Sequence, residues 1–137
     1  MSKYIKFRVW HKQNKVMMWL KQIVWFPDRE QRITAHPFDQ REPTFVGSLC
    51  HLEIMEYTGI DDKNGKEIYE GDILDVDEHK RLCKVIWFEP QACFDTVPIK
   101  VMDKHTVFNG LKNSEWSYRT EVVGNIYENP ELLKQEG

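Results

Sequence analysis

Asp61-Asp62-Lys63-Asn64-Gly65 sets two carboxylates and an amide ahead of a glycine, the residue types a calcium loop uses. The register defeats that chemistry. With Gly65 at the sixth loop position, Ile60 takes the first and Gly71 the twelfth, where a carboxylate and a bidentate glutamate are required. What remains is a hairpin bend of type I′, because Asn64 and Gly65 both tolerate positive φ. His79, Cys83, Cys93 and His105 are zinc-type ligands, but no pair has finger spacing. Cys83 and Cys93 are therefore expected as small core thiols, with no metal and no cofactor. Cys50-His51 are neighbours in the chain, and adjacent strand residues point to opposite faces, the wrong geometry for a thiolate and its base. Glu67, Glu70, Asp72, Asp75 and Asp77 offer carboxylates for acid–base work, yet a solvated, turn-rich face accounts for them with fewer assumptions. No nucleophile elbow, zinc-protease motif or phosphate loop occurs. The expected protein is not an enzyme, and no small-molecule substrate is evident.

A mixture of cations and rings near the beginning is the best functional candidate: Lys6, Arg8, Trp10, Lys12 and Lys15, with Trp19 and Trp25 beyond. Single-stranded nucleic acid needs cations along its phosphates and exposed rings for its bases, so these residues form a candidate nucleic-acid surface. The competing reading puts the tryptophans in the core and leaves the lysines to solvate the outer strand face. Charge is uneven along the chain. Residues 1–41 carry nine Lys and Arg against three acids, a balance of +6, and residues 42–137 carry ten against nineteen, a balance of −9. That polarity equally suits a homo-oligomer in which the basic part of one copy meets the acidic part of the next.

Positioning these residues falls to strands. Ile5, Phe7 and Val9 alternate with Lys6 and Arg8, the period of two of a strand with one wet face. The polar run His11–Lys15 turns the chain back into an apolar segment from Val16. Val16, Trp19, Leu20, Ile23 and Val24 also fit a helical template, but no capping residue adjoins Val16, and strands are the preferred reading. Residues 28–48 are polar, contain Pro37 and Pro43, and read as a long irregular connection. Beyond it, Tyr69 leads to a Gly71-Asp72 corner, and Leu82–Phe88 reads as a central strand buried on both faces. Pro90 and Pro98 bracket a loop. Ile99–Met102 and Thr106–Phe108 read as a further strand pair. Thr120–Tyr127 is the last strand, with a bulge or close approach at Gly124, and Asn129-Pro130 is an N-cap with proline at the first helical position.

The fold class implied is mainly β with minor α: a small barrel or roll, with an N-terminal strand-rich extension and a short C-terminal helix. Residues 1–52 form the N-terminal β segment and 53–137 the barrel region, together one compact unit. At 137 residues and 41% hydrophobic content such a unit can bury a core without staples. The first twelve residues are threaded with charge, no run approaches the ~20 apolar residues of a membrane span, and three cysteines make no framework. A reduced cytoplasm is expected, and no membrane partner.

Three blocks resemble the YopX family of bacteriophage and prophage proteins: Ile5–Trp10 (IKFRVW), Met55–Ile73 (MEYTGIDDKNGKEIYEGDI) and Val122–Leu133 (VVGNIYENPELL). They lie at the beginning, middle and end, so the resemblance spans the chain. It implies a phage or prophage product in a bacterial host, an SH3-like β-barrel in residues 53–137, self-association into a homo-oligomer, and no catalytic residues to carry over.

Overall fold

The structure, a computed structural model, describes residues 5–27, 31–38, 41, 43–76, 81–99 and 116–134. The strand pair Ile99–Met102 and Thr106–Phe108 and the zinc-type ligands His79 and His105 fall wholly or largely outside those residues. The chain divides into two compact units at Glu56/Tyr57.

In the unit Ile5–Glu56, β1 (Phe7–His11), β2 (Val16–Trp25), β3 (Gln31–Pro37), β4 (Phe45–Ser48) and the first half of β5 (Leu52–Asp61) pair antiparallel in the order β4-β3-β2-β1-β5. Strand alternation sends Val9, Met18, Ile33, Ala35 and Leu52 to one face, where Val16, Leu20, Ile23, Phe45 and Ile54 pack against them. The His11 ring on β1 meets Phe45 on β4 edge-on at 5.1 Å although β2 and β3 lie between them in the sheet. The sheet therefore coils about its own apolar face, helped by a bulge between Leu20 and Gln22. The helix-compatible spacing in β2 arises because both of its faces carry large apolar residues, Met18 and Leu20 on one, Met17 and Trp19 on the other.

In the unit that begins at Tyr57, the rest of β5 pairs with β6 (Glu67–Tyr69). A separate antiparallel sheet contains β7 (Asp72–Val76), β8 (Arg81–Phe88), β9 (Cys93–Pro98) and β10 (Thr120–Asn125) in the order β10-β7-β8-β9. Its core joins Ile68, Leu74, Val76, Cys83, Val85 and Phe94, with Ile60 and Val122 packed against them. Trp116–Arg119 is one turn of α-helix, and Pro130–Lys134 closes the described chain as a 3-10 helix. No helix among the described residues is long and apolar enough to cross a membrane.

The mainly β architecture is as the periodicities imply, but several particulars differ. Among the described residues of 53–137, where an SH3-like barrel is expected, the strands form a four-stranded antiparallel sheet and a hairpin, and no closed barrel is found. Within 28–48, residues expected to be irregular form β3 and β4. The reason is visible in β3, where Ile33, Ala35 and Pro37 alternate with Arg32, Thr34 and His36, and Pro37 is tolerated because it ends the strand. Pro98 likewise ends β9, which fills most of the loop expected between Pro90 and Pro98. β8 is interior to its sheet, yet only its Cys83 and Val85 are fully buried, and Trp87 is exposed at the strand end.

Candidate binding surface

The motif that looked like an ion loop is a backbone clamp. Gly65 N–H bonds to Asp62 O at 3.0 Å and Asp62 N–H to Lys66 O at 2.8 Å, with Gly65 at φ +80°. Asn64 is not at positive φ, so the bend is a type I turn followed by a left-handed glycine rather than the expected type I′. Buried Asp62 completes it: Oδ1 accepts the N–H groups of Asn64 and Lys66, both at 2.9 Å, and Oδ2 accepts Val122 N–H of β10 at 2.9 Å. Its oxygens are committed to three amides, which ties the hairpin tip to a strand about sixty residues away in sequence.

Asp72 is placed in the same structural manner. Asp72 Oδ2 accepts Tyr69 N–H at 2.8 Å across the Gly71 corner, where Gly71, at φ +86°, donates to Val85 O and accepts from Ile126 N–H, both at 2.9 Å. The β10 register shifts between Val122 and Gly124, and Asn129 Oδ1 accepts Asn125 N–H at 3.2 Å instead of capping the helix that follows. Asp61 accepts the Tyr57 hydroxyl, and the Tyr57 and Tyr69 rings lie 5.6 Å apart. Burial pushes the Tyr57 phenol well above its ordinary value near 10, and the bond to Asp61 with the negative charges of Asp61 and Glu67 pushes the same way. The folded chain thus holds this proton more tightly than the unfolded chain. Stability from this group is complete below the unfolded value near 10 and declines as pH rises beyond it. In urea titrations, the native chain should lose more stability between pH 9 and about 11 than Tyr57→Phe does; equal losses would contradict this placement.

Among the described residues no group of three or more His, Cys, Asp and Glu is arranged to hold a metal. Cys83 is buried in the core and Cys93 half-buried. Cys50 and His51 lie on a 3-10 turn, not a strand, with Cys50 N–H donating to Ser48 Oγ and His51 O accepting Lys12 N–H.

The basic and aromatic candidates are dispersed by the sheet. Arg8 and Trp10 are only 6% and 8% exposed, with Arg8 Nε directed at Met55 Sδ 3.4 Å away, so neither can meet a phosphate or a base. Lys12 pairs with Glu53 at 3.0 Å, and Lys15 sits at the hairpin turn in a left-handed conformation, φ 55°. Lys6 lies over the Trp19 ring at 4.5 Å. In Ile5–Glu56 the exposed rings are elsewhere: Trp25, Phe26 and Phe38, the last stacked on Trp19 at 4.2 Å. Phe38 was hidden in the sequence because β3 was read as a loop; the alternation around Arg32 and His36 is the signal that locates it.

The family model described as YopX protein matches residues 6–134. The chain belongs to the YopX family. Two solved structures share its fold over nearly its whole length. The crystal structure of protein EF1440 from Enterococcus faecalis is 25% identical with a TM-score of 0.62, over 97% of this chain and 100% of that one. The structure of protein yopX from Bacillus subtilis is 18% identical with a TM-score of 0.59, over 96% of this chain and 98% of that one. No curated protein matches. The family match spans both units of the YopX chain, including the clamp at Asp62 and the bulge at Gly124.

Proposed function

We propose that this YopX protein is a non-catalytic accessory protein of a phage or prophage that acts by self-association in the bacterial cytoplasm. One observation carries the reading. The core-facing row of β2 continues from Ile23 to Trp25, and that of β1 is continued backwards by Ile5, yet Trp25 and Ile5 are each 67% exposed. In the antiparallel pair these two residues belong to the same end of the sheet, so the apolar row runs out at one rim uncovered. Trp and Ile on such a rim favour burial, and tryptophan is enriched among the residues that dominate binding energy at interface centres. Charge supports the same reading in weakened form. Counted by unit, Ile5–Glu56 has eight Lys and Arg against six acids, +2, and the other unit, Met1–Tyr4 with Tyr57–Gly137, has eleven against sixteen, −5. Glu42, Glu53 and Glu56 fall on the basic side of the boundary, which is why the contrast is smaller than the division at residue 41 gives.

Sedimentation velocity tests the rim. Trp25→Ser combined with Ile5→Ser should weaken association at least tenfold, the effect of losing about 1.4 kcal/mol or more of apolar burial. An association constant unchanged by both substitutions would remove the rim from any interface.

A further inference from the structure

The face of β2, β3 and β4 opposite the core is not built as an ordinary wet sheet face. Arg32, Thr34 and His36 of β3 point there, with Phe26 and Phe38 continuing the same rows at the ends of β2 and β3. Phe26 is 42% exposed and Phe38 43%, although polar residues would serve a purely solvated surface. Each ring has a cation close by: the Arg32 guanidinium is 5.9 Å from the Phe26 centroid, and Lys6 is over Trp19, on which Phe38 stacks. Among the described residues of Ile5–Glu56 the acids are Glu53 and Glu56, both on β5, and none lies on this face of β2–β4.

We infer that this face binds single-stranded nucleic acid, with Phe26 and Phe38 as base platforms and Arg32 and Lys6 on the phosphates. Unpaired bases stack on rings of any sequence context, and cations held at ring edges and faces are already positioned for the backbone between stacked bases. From Trp19 to Phe26 the strand runs about 20 Å, room for several nucleotides. A duplex hides its base faces and would gain nothing from the rings. This surface uses none of Arg8, Trp10, Lys12 or Lys15, and it is distinct from the Ile5 and Trp25 rim, which lies on the core-facing rows.

Fluorescence anisotropy of a labelled 20-mer of oligothymidine at low salt tests it. Binding is expected for the native chain. Phe26→Ala and Phe38→Ala should each weaken it about 5- to 150-fold. Arg32→Gln should lower the slope of log affinity against log salt by about 0.7, and Lys66→Gln, in the other unit, should leave it unchanged. Phe38→Tyr keeps a ring and should keep binding, which separates loss of stacking from loss of fold. No anisotropy change for the native chain at low salt, or binding indifferent to both ring truncations, overturns the inference. Should the truncations instead reduce the mass of the free protein while no oligonucleotide binds, the face belongs to a second copy, and the inference is equally overturned. A monomeric mass with intact oligonucleotide binding would contradict self-association alone.

Discussion

Asp62→Ala should destabilise the fold by about 3–5 kcal/mol, the largest effect expected of any single polar substitution in the chain. The carboxylate holds three backbone N–H groups at 2.9 Å, two in the hairpin tip and one on β10. Hydrogen bonds to a charged acceptor contribute about 1.5–3 kcal/mol each, and truncation also strands partly buried donors that no neighbour replaces. Asp62→Asn should cost less, about 1–3 kcal/mol. Its amide oxygen can still serve Asn64 and Lys66, but its NH2 group then faces the Val122 N–H, donor against donor. The nearby ion pair makes a useful contrast: Lys63 and Glu121 are 3.7 Å apart and both partly exposed, so Lys63→Ala should cost under about 1 kcal/mol. Chemical denaturation of the three variants checks the order; an Asp62→Ala chain no less stable than Lys63→Ala would show that the clamp contributes nothing.

Gly124→Ala should follow, at about 1–3 kcal/mol, through crowding rather than through backbone strain. A β-carbon there would stand 2.6 Å from Asn129 Oδ1 and 2.8 Å from Asn129 Cγ, while φ at Gly124 is unexceptional. Relief requires the Asn129 side chain to swing away, which breaks its bond to Asn125 N–H. Gly65→Ala is the opposite case: nothing lies within 4 Å of the new methyl, and the cost, about 1–2 kcal/mol, comes from φ +80° alone. The two are distinguished by a double-mutant cycle with Asn129→Gly. Coupling of about 1 kcal/mol is expected with Gly124→Ala and none with Gly65→Ala. Additive losses in the first cycle would mean that the bulge tolerates a side chain.

The β character was legible in the sequence where residues alternate at a period of two or a short apolar run stands between turns. Ile5 to Val9 announces β1 through simple alternation, and Leu82 to Phe88 announces a strand. Legibility failed where a strand is short and proline-flanked. Residues 31–37 alternate correctly, but Pro37 and Pro43 suggested a loop, and only pairing with β2 shows that Pro37 terminates a strand. Barrel closure was not readable, because it depends on which strand edges meet, and no residue pattern records that. Burial on the second face of β1 was equally hidden. Arg8 and Trp10 have the residue types of a nucleic-acid surface, yet both are buried, Arg8 with the sulfur of Met55, 47 residues away, against its guanidinium. Conversely, Asp72 was read as part of a solvated face and Asp62 as part of a turn, whereas both are buried acceptors for backbone amides.

Light scattering coupled to size exclusion at moderate salt weighs the native protein directly. Self-association through the Ile5 and Trp25 rim requires an integral multiple of the 16.4 kDa chain, reverting toward 16.4 kDa in the doubly substituted variant. A native mass of 16.4 kDa across the accessible concentration range would contradict it.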